Sequence, residues 1–449
     1  MGLYTSFIDF IETKNWFQDN QRVLLAVSGG LDSMVMAYLF AQTNYDVGIA
    51  HCNFKLRGED ADGDQDFVRA RASQNNIPFY TIDFETSTIA QERSQSIQLV
   101  ARGLRYEWLE KIRVEHHFDW IATAHHLNDA IETTLYNLTK GTGIKGIQGI
   151  PVTNGRIIRP LSFASREQLE DFQQEKGIEF RLDASNLEDK YARNKIRHHV
   201  LPTLKTINPS LEQTFQRNLE NFAGTAELYF WAVQKILDTS IEDLKDQRHI
   251  HHHKLARFPS PKTVLFEYLK NFGFNYDQVE NIWTQRNSQP GAIFESFSHT
   301  LLIDRATFIL KKRIENNQIH ELEIGKFEKE AVLSLSEGKL QMALSTNLPT
   351  AFTRNHLLAF FDYKKITFPL RLRRWKAGDV FCPLGMKGNS KKVQDFFTDS
   401  KLNLFEKKQT WILEDASGKI VWIVGQRADE RFKLDEQSMK MLKMTWQPT

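Results

Sequence analysis

The first 140 residues alternate between short apolar runs and longer segments with helical periodicity. Apolar runs predict strands at residues 23–27, 45–52, 79–84 and 120–124. Segments with a period near 3.6 residues predict helices at residues 34–41, 62–73, 97–114 and 128–139. Because strands and helices alternate, the pattern predicts a doubly wound α/β fold, with a parallel sheet between two layers of helices.

The pattern changes in the remainder of the chain. Between about residues 208 and 308, apolar residues recur mostly at helical spacing, which predicts a mainly helical region. The polar stretch 311–330 is typical of a linker or of short strands. The final segment combines short strand-like runs with basic turns and predicts a small α+β domain. We therefore expect three domains, at residues 1–207, 208–330 and 331–449.

Polar residues collect where the predicted strands end. Ser28 follows the first strand, His51 and Asn53 lie at the end of the second, and His125 and His126 follow the fourth. Ligands of open α/β sheets bind outside the carboxyl ends of the strands. We therefore expect a ligand site at this edge of the sheet.

The stretch "LLAVSGGLDS" at residues 24–33 carries two glycines from a buried strand to the start of a helix. Glycine lets backbone N–H groups approach an anion closely, and a helix N-terminus adds unpaired N–H groups and a positive dipole end. Ser28 and Ser33 add hydroxyl donors, so the stretch predicts a phosphate site, although it lacks the lysine of a Walker loop. Asp32 fits either a helix cap or an oxygen ligand of a magnesium ion that arrives with the phosphate.

The Gly-x-Gly-x-x-Gly match at residues 141–146, "GTGIKG", lies in a different context. It follows a helix instead of a strand, and no clear helix opens after it. The match therefore predicts a flexible loop near the same edge of the sheet, and not a dinucleotide site.

The stretch "ATAHHLNDAIETTLYNL" brings histidine and carboxylate groups to the end of the fourth strand. His125 and His126 end that strand, and Asp129 and Glu132 lie in the first turns of the next helix. Two histidines and two acids at the edge of a predicted site favour a functional role. Glu132 taken alone also fits an acid that stabilises the start of a helix.

Two groups of basic residues lie near the ends of predicted helices. Arg102 and Arg105, in "ARGLRYEWL", are three residues apart and share one helix face. Arg193, Lys195 and Arg197 form a second cluster at the end of the first domain. Guanidinium pairs suit phosphate oxygens or a polynucleotide backbone. On its own the first pair is more typical of surface arginines, and the second cluster fits either a nucleic-acid contact or a helix cap.

The net charge of +2 conceals a strongly basic window at residues 363–392. Asp379 is the single acid in this window, so the local charge is +8. Such a window fits a polyanionic partner and fits a solvated lysine-rich face equally well. Its basic residues are Lys364, Lys365, Arg371, Arg373, Arg374, Lys376, Lys387, Lys391 and Lys392.

Several classes of protein are excluded by composition. The chain has two cysteines, Cys52 and Cys382, which are far apart and form no Cys-x-x-Cys pair. A disulfide framework or a zinc ribbon is therefore not expected. No apolar run approaches the ~20 residues of a membrane span, and the start "MGLYTSFIDFIETKNWF" contains acids that a signal peptide lacks. We expect a reducing, cytoplasmic compartment and no membrane partner.

Together these stretches resemble one family. "SGGLDS" resembles the Ser-Gly-Gly-x-Asp-Ser signature of the PP-loop ATP pyrophosphatases, which cleave ATP between the α and β phosphates and adenylate a substrate. The C-terminal stretch "RRWKAGDVFCPLGMKGNSKKVQDFFTD" is similar to the C-terminal domain of the tRNA(Ile)-lysidine synthases. Further stretches are similar to that family in the same order, so the resemblance covers essentially the whole chain: "HCNFKLRGEDADGD", "ARGLRYEWL", "ATAHHLNDAIET", "GTGIKGIQGI" and "YARNKIRHHVLP".

The resemblance implies an ATP-dependent carbon–nitrogen ligase that acts on the wobble cytidine of a minor isoleucine tRNA with a CAU anticodon. ATP, with Mg²⁺, would adenylate the 2-carbonyl oxygen of the cytosine and release pyrophosphate. The ε-amine of free L-lysine would then displace AMP, and codon recognition would change from AUG to AUA. The resemblance implies a PP-loop catalytic domain followed by middle and C-terminal domains that contact tRNA. It leaves the oligomeric state open, with a homodimer as one candidate.

The resemblance also implies roles for individual residues. Arg102, Arg105 and His125 are candidates for charge stabilisation and lysine positioning. The expected catalytic residues are Asp32, Arg102, Arg105, His125 and Asp129, of which Asp32 and Asp129 are also expected to hold Mg²⁺. The expected ATP-binding residues are Ala26, Ser28, Gly29, Gly30, Leu31, Asp32, Ser33 and His51. The expected tRNA-binding residues are Arg193, Arg197, Arg371, Arg373, Arg374, Lys376, Lys387, Lys391 and Lys392.

The sequence departs from the family pattern at one point. Many members have His-His-x-Asp-Asp-Gln after the fourth strand, whereas this chain has Asn128, Asp129 and Ala130 at the last three positions. Asn128 carries no charge, so Asp129 is the expected metal-linked carboxylate.

Three alternatives stay open at this point. A PP-loop tRNA thiolase passes sulfur through cysteines, often in a Cys-x-x-Cys pair or an iron–sulfur site, and Cys52 and Cys382 offer neither. An amidating ligase of the same loop class would not need the basic C-terminal window. A non-catalytic nucleotide- or RNA-binding protein would not need Asp32, Asp129 and both histidines.

Overall fold

The computed structural model describes residues 2–18, 20–56, 58–182, 192–244, 246–313, 321–349 and 355–448. The chain divides into two compact units, residues 1–231 and 232–449. None of the described helices combines the length and the apolarity that a membrane span requires.

The first unit is built on a six-stranded sheet. Its strands are β1 (Arg22–Ala26), β2 (Asp46–Asn53), β3 (Phe79–Asp83), β4 (Trp120–Thr123), β5 (Thr153–Asn154) and β6 (Ile157–Ile158). The order across the sheet is β3-β2-β1-β4-β6-β5, and only β5 and β6 pair antiparallel. The four strands predicted from the apolar runs are thus confirmed as the parallel core of the sheet.

Helices connect and cover these strands. They are α1 (Leu3–Thr13), α2 (Leu31–Ala41), α3 (Glu59–Gln74), α4 (Thr86–Glu92), α5 (Ile97–Glu115), α6 (Leu127–Lys140), α7 (Ile144–Ile147), α8 (Arg166–Lys176), α9 (Ala192–Lys195), α10 (Leu201–Ile207) and α11 (Leu211–Ser240). A π-helical turn, Ile196–Val200, joins α9 to α10. Helix α11 begins in the first unit and ends in the second.

The core lies on both faces of the sheet, as a doubly wound fold requires. Val23 and Leu25 of β1 pack into a cluster that contains Phe40 of α2. Leu24 points to the other face and packs into a cluster with Trp108 of α5. All three β1 side chains are fully buried, and each such burial contributes about 1.5–3 kcal/mol to the free energy of unfolding. This packing fixes the end of β1, where the phosphate loop begins.

The second unit opens with a sheet that the hydropathy pattern did not predict. Its strands are β7 (Ile241–Leu244), β8 (Gln247–His251), β9 (Ile293–Glu295), β10 (His299–Asp304) and β11 (Thr307–Lys312), and its helices are α12 (His252–Leu255), α13 (Pro261–Leu269) and α14 (Tyr276–Thr284). The strand order is β7-β8-β11-β10-β9, with antiparallel neighbours. The expectation of a mainly helical region holds for α11 to α14 but missed this sheet, because apolar runs of four to six residues fit a strand and a buried helix equally.

The C-terminal part of the second unit is a small α+β region, as predicted. Its elements are β12 (Glu321–Ile324), β13 (Glu330–Leu335), β14 (Gly338–Ser345), β15 (Leu358–Asp362), β16 (Leu370–Arg374), β17 (Val380–Phe381), β18 (Lys391–Lys392), α15 (Val393–Asp399), α16 (Leu404–Gln409), β19 (Trp411–Glu414), β20 (Ile420–Ile423), β21 (Arg427–Ala428) and β22 (Met441–Pro448). The strands form sheets of order β12-β16-β19-β20-β21 and β13-β14-β22-β15 and the hairpin β17-β18. Trp422 and Phe361 are fully buried in a cluster shared by the two larger sheets.

Candidate active site

The phosphate loop follows β1 where the sequence predicts it. The chain turns through Ser28, Gly29 and Gly30 into α2. Gly29 has a φ of +93°, which favours glycine, and a Cβ atom at this position would lie 3.4 Å from Cγ2 of Val68 on α3. The tight turn brings backbone N–H groups to the N-terminus of a helix, which is an arrangement that binds anions.

Two serines close the loop on itself. The N–H of Ser28 donates to Oγ of Ser33 (3.2 Å), and that hydroxyl donates to the carbonyl oxygen of Gly30 (2.9 Å). The two serine hydroxyls lie 3.2 Å apart. Gly30 is the N-cap of α2, so Asp32 lies inside the first turn and is not its N-cap residue. The start of α2 is therefore left for a ligand, and Asp32 has a different partner.

A cavity of about 490 Å³ opens at the carboxyl ends of β1, β2 and β4. This volume lies within the range of roughly 300–1,000 Å³ found for small-molecule sites. The residues predicted for ATP binding or catalysis that line it are Ala26, Ser28, Gly30, Leu31, Asp32, Ser33, Arg105 and His125. An apolar wall faces the phosphate loop and is formed by Ala50, Cys52, Phe54, Tyr106 and Leu109. The loop suits the phosphates of a nucleotide, and the apolar wall beside it suits the ring system of the base.

Asp32 is held by an arginine that the sequence analysis missed. Nη1 of Arg166 lies 2.7 and 2.8 Å from the two carboxylate oxygens of Asp32. Nε of the same guanidinium donates to Glu170 (2.7 Å), and its backbone N–H donates to Oδ1 of Asn128 (2.9 Å). Asn128, the residue that departs from the family pattern, thus links the start of α6 to the start of α8. Arg166 lines the cavity beside Asp32.

His126 lies between the two acids predicted to hold Mg²⁺. Its Nε2 is 3.9 Å from Oδ1 of Asp32 and 3.6 Å from Oδ2 of Asp129. The backbone N–H of His126 donates to the same Asp129 carboxylate (3.0 Å). The structure thus brings Asp32 and Asp129, nearly one hundred residues apart, to one buried imidazole.

The predicted basic cluster of α9 and the π-helical turn faces α6. Arg197 donates to Glu132 from Nε (2.7 Å) and Nη2 (3.0 Å), and its Nη2 lies 3.3 Å from Asp129. Arg193 donates from Nη2 to Oγ1 of Thr133 (2.7 Å). Arg197 was expected to bind tRNA, but its guanidinium is engaged by two carboxylates of the site, so it is a positioning residue. Arg193 is exposed, and its contact with tRNA stays a prediction.

The two carboxylates of α6, Asp129 and Glu132, have pKa values that are shifted in opposite directions. Burial alone would raise the pKa of Asp129, but His126 and Arg197 favour its charged form and hold that pKa below its usual range. Glu132 is almost fully buried, and burial raises its pKa although Arg197 opposes the shift. Asp129 is therefore the ionised carboxylate of the pair that is suited to a cation.

His125 is a neutral imidazole at physiological pH. Burial lowers its pKa to about 4, with Asp129 opposing this shift and Arg159, Arg102 and Arg105 adding to it. Its Nδ1 lies 3.0 Å from Oγ1 of Thr123. A neutral ring carries no charge, so any part that His125 takes in charge stabilisation or lysine positioning would be played through a hydrogen bond, and that role stays a prediction.

Other predicted residues lie at the margin of the cavity. Arg105 lines it and stacks over the ring of Phe54 (5.2 Å), whereas Arg102 stacks over Tyr106 (5.2 Å) and does not line it. His51 is buried, its Nδ1 lies 2.9 Å from the carbonyl oxygen of Val27, and burial lowers its pKa. His51 is therefore placed behind the loop, and the structure does not support its predicted contact with ATP.

The loop after α6 is fixed against that helix instead of being flexible as predicted. It contains the short helix α7, and Asn137 of α6 donates to the carbonyl oxygen of Gly146 (2.9 Å). Gly149 has a φ of +67°, and a Cβ atom there would lie 2.7 Å from the carbonyl oxygen of Ala130 and 2.8 Å from Oγ1 of Thr134. The loop thus supports the helix that carries Asp129.

Sequence reasoning missed three charged residues that line the cavity. Arg166 binds Asp32, and Arg181 donates from Nε to Asp64 (2.5 Å) and from its backbone N–H to the carbonyl oxygen of Gly29 (2.9 Å). The three residues are Asp64 on α3, Arg166 on α8 and Arg181 after α8. They are far from the glycine loop in sequence, so no motif spacing relates them to it. Tyr106, by contrast, directly follows Arg105 in the sequence and could be predicted from that position.

Two arginines of the basic C-terminal window are structural. Arg373 is buried, donates to both oxygens of Asp379 (2.9 Å each) and donates from Nε to Glu414 (2.9 Å). The guanidinium of Arg374 lies 3.7 Å from the centre of the Trp411 ring and pairs with Glu337. The structure does not support the predicted tRNA contacts of these two arginines, because both guanidinium groups are largely buried and paired with acids.

The remaining predicted contacts of this window are better exposed. Arg371 pairs with Glu321 (2.9 Å) and Lys391 with Asp399, both at the surface. We define the exposed lysine group as the three lysines among the predicted tRNA-binding residues that are exposed and have no ion pair within the described part of the chain. Its members are Lys376, Lys387 and Lys392.

The fold and the cavity define a PP-loop ATP-binding protein, and a family model described as "PP-loop domain" matches residues 4–204. Models described as "TilS substrate binding domain" and "TilS substrate C-terminal domain" match residues 243–313 and 370–446. The tRNA(Ile)-lysidine synthase of Parabacteroides distasonis is 37% identical over 436 residues, which cover 96% of this chain and 97% of that protein. The chain belongs to the tRNA(Ile)-lysidine synthase family.

Two further relatives match nearly the whole chain, and one solved structure matches about half of it. The tRNA(Ile)-lysidine synthase of Bacteroides thetaiotaomicron is 35% identical over 436 residues, covering 97% of each chain. That of Porphyromonas gingivalis strain W83 is 36% identical over 443 residues, covering 95% of each chain. Among solved structures, the U34-tRNA thiolase NcsA of Methanococcus maripaludis matches 48% of this chain and 80% of its own, with 18% identity and a TM-score of 0.40.

Proposed function

We propose that this protein joins free L-lysine, through its ε-amine, to the 2-carbon of the wobble cytidine of a CAU-anticodon tRNA(Ile), with conversion of ATP to AMP and pyrophosphate. The observation that carries the proposal is the meeting of the glycine loop, Asp32 and the apolar wall in one cavity, within a chain that its relatives match from end to end. The reaction is one of adenylation followed by displacement.

In the first step, the 2-carbonyl oxygen of cytosine attacks the α-phosphorus and pyrophosphate leaves. The N-terminus of α2 and the hydroxyls of Ser28 and Ser33 would hold the phosphates. Negative charge builds on the leaving group, so positive charge is needed in a site that excludes water. Arg105, Arg166 and Arg181 line the cavity and would supply it.

The ATP-dependent step would use Mg²⁺. The residues of the site fit a metal ion whose ligands come partly from the protein and partly from the nucleotide. Mg²⁺ is usually held by one or two carboxylates together with substrate phosphates and water. Asp32 and Asp129, which approach the same His126 nitrogen, would provide the carboxylates. Within the described ranges no three His, Cys, Asp or Glu side chains are grouped to hold a metal ion on their own. When bound, Mg²⁺ would neutralise charge on the phosphates.

In the second step, the ε-amine of lysine attacks C2 of the cytosine and AMP leaves with the former carbonyl oxygen. Lysine carries a positive charge in solution, so the acidic side of the site is the appropriate place for it. Asp129 is ionised and would attract the lysine ammonium group, and neutral His125 lines the cavity with a ring that can hydrogen-bond to the amine. We propose that these two residues orient the amine, which attacks in its uncharged form after it has lost a proton to solvent.

The tRNA would contact residues of each unit. Arg193 near the active site and the exposed lysine group in the C-terminal region are the proposed contacts with phosphates. We accordingly propose residues 1–207 as the catalytic domain, with tRNA contacts from 208–330 and 331–449. A cytoplasmic location accords with a tRNA substrate.

The test is a reconstituted reaction with purified protein, ATP, Mg²⁺, labelled L-lysine and the CAU-anticodon tRNA(Ile) transcript. We expect label to join the tRNA and pyrophosphate to appear in equal amount. The elongator methionine tRNA, which shares the anticodon, is the matched substrate control and should stay unlabelled. Absence of label in the isoleucine tRNA, with protein that binds ATP, would overturn the proposal.

A tRNA thiolase is the second candidate, and the cysteines argue against it. Cys52 lines the cavity, but burial raises its pKa to about 12, although Arg105 opposes the shift. Cys382 is buried, and both cysteines are free thiols. Sulfur transfer needs a thiolate or a cluster of thiolate ligands, so a protonated, solitary Cys52 does not suit that chemistry.

A further inference from the structure

A second cavity, of about 240 Å³, borders the phosphate loop from another direction. Its floor includes Val27, Met34, Ile49 and Val68, which are all apolar and buried. Val27 lines both cavities, and Met34 directly follows Ser33 of the loop. Any molecule held in the second cavity therefore contacts the residues that support the phosphate loop.

The lining of this cavity carries three charged side chains: Lys176, which pairs with Glu175 (2.9 Å), and the oppositely charged Arg71 and Glu179. Arg71 forms an ion pair with Glu179 and donates from Nη1 to Oε1 of Gln74 (2.8 Å), and all three residues line the cavity. The Glu179 side chain is 67% exposed and that of Arg71 is 30% exposed. Ion pairs this accessible contribute little to stability, so both groups can exchange partners with a ligand at small cost.

This combination of an apolar floor and a charged mouth matches an apolar α-amino acid. A guanidinium binds a carboxylate in a two-bond geometry, the Glu179 carboxylate suits an α-ammonium group, and the floor suits an aliphatic or aromatic side chain. The volume corresponds to about eight water molecules at ~30 Å³ each, which accommodates an amino acid but not a nucleotide. We propose that the second cavity binds an apolar L-α-amino acid and that its occupancy changes the affinity of the phosphate loop for ATP.

Two elements connect the mouth of the second cavity to the loop. On α3, Asp64 lines the first cavity, whereas Arg71 lines the second. In the segment after α8, Glu179 lines the second cavity, and Arg181 lines the first and donates to both Gly29 and Asp64. A ligand that fixes Arg71 and Glu179 therefore acts on the groups that fix Gly29. Coupling between two sites is reciprocal, so ATP would change the affinity for the amino acid by the same factor.

Calorimetric titration of the full chain with L-leucine tests the binding. We expect a Kd of about 0.1–1 mM for this small ligand, measured with L-lysine present at saturation so that the proposed substrate site is occupied. Binding of 4-methylpentanoate, which is leucine without its amine, and of 3-methylbutylamine, which is leucine without its carboxylate, should each be at least about 10-fold weaker because one charged group of the mouth is left unmatched. Absence of L-leucine binding, or equal binding of all three compounds, overturns the proposal.

Two variants locate the ligand. Arg71→Gln removes the guanidinium group that would bind the carboxylate of leucine. Ala41→Phe places a large side chain in the cavity, which Ala41 lines. Each substitution should weaken L-leucine binding by at least about 10-fold. Arg69→Gln is the matched control, since Arg69 is exposed on α3 and pairs with Asp66 outside the cavity. Unchanged L-leucine affinity in both Arg71→Gln and Ala41→Phe overturns the assignment to this cavity.

The coupling is measured as the Kd for ATP with and without saturating L-leucine. We expect a change of about 5-fold or more, which is the lower end of typical coupling between sites; an unchanged Kd overturns the coupling. This half of the inference rests on the proposed ATP site. L-leucine binding is measured without tRNA or turnover, so failure of the proposed ligase reaction and failure of this inference give different results.

Discussion

One nitrogen of Arg166, Nη1, lies within 2.8 Å of both carboxylate oxygens of Asp32. Asp32 belongs to the phosphate loop and Arg166 to the first turn of α8, so this ion pair joins two segments more than 130 residues apart. Both residues line the cavity. Anionic phosphates that enter the loop would meet a guanidinium already positioned beside a carboxylate.

Replacement of Asp32 by asparagine tests the role of its charge. We expect Asp32→Asn to lower the rate of pyrophosphate release by roughly 10²-fold or more, the usual cost of removing an electrostatic group from a reacting centre, while tRNA binding measured by filter retention is unchanged. Asp66→Asn, a change of the same kind at an exposed position, is the control. Normal pyrophosphate release by Asp32→Asn would contradict the proposed role.

Replacement of Arg166 by glutamine tests the other partner. We expect the KM for ATP to rise about 10-fold, equivalent to 1.4 kcal/mol of binding free energy, because a charge that faces the phosphates is removed. Steady-state kinetics with ATP as the varied substrate measures this, and Arg69→Gln serves as the control. A KM that stays constant or falls would mean that Arg166 only restrains Asp32.

The low pKa of His125 predicts a pH dependence of stability. Burial holds the folded-state pKa near 4, below the ordinary value of 6.5. Above pH 6.5 the ring is neutral in both states and its full contribution is present. As the pH falls from 6.5 to 4, the imidazole of His125 becomes protonated in the unfolded chain but stays neutral in the folded chain. Up to about 3 kcal/mol of the free energy of unfolding is therefore lost.

Urea denaturation of wild type and His125→Gln between pH 7.5 and 4 measures this contribution. The variant should lose less stability than wild type across that range, and the difference between the two curves isolates the one histidine. His356→Gln, at an exposed position, should follow the wild-type curve. Parallel curves for His125→Gln and wild type would show that the ring is accessible to protons in the folded state.

Arg373 and Arg371, two residues apart on β16, should behave differently. Removal of the Arg373 side chain leaves the buried carboxylate of Asp379 without its cation and takes the nearer of two arginines from Glu414, so Arg373→Ala should lower the free energy of unfolding by about 3–5 kcal/mol. Arg371 is 52% exposed, and Arg371→Ala should cost no more than about 1 kcal/mol. Denaturant titrations give the free energy of unfolding of both variants. Equal decreases in the two variants would contradict a structural role for the buried ion pairs of Arg373.

The exposed lysine group predicts a change in salt dependence. Replacement of Lys376, Lys387 and Lys392 by glutamine should weaken tRNA binding and reduce the slope of log K against log salt by about 0.7–0.9 for each phosphate that the protein no longer neutralises. A control with the same charge change replaces Lys329, Lys339 and Lys443, which are exposed elsewhere in the second unit. Equal slopes for the two triple variants would remove this group from the tRNA interface.

Much of the first unit follows directly from the order of residues. The parallel strands are short and largely apolar, and polar residues mark the carboxyl ends of β1, β2 and β4, so the sheet and the position of the site were both predictable. Arg166 and Arg181 were not, since they reach the cavity through folding of distant segments. The same limit explains the error at Arg373: a run of basic residues shows charge, but the acids that neutralise it come from other strands.

The glycine-rich loop after α6 has a consequence for sequence variation. At Gly143 nothing lies within 4 Å of an added Cβ atom, whereas at Gly149 the backbone of the preceding helix already occupies that space. In a library of random variants selected for activity, position 143 should therefore accept small side chains, while position 149 should retain glycine alone. Two glycines of one short loop would then differ widely in mutational tolerance. That difference would show that α6, the helix that carries Asp129, depends on close packing against Gly149.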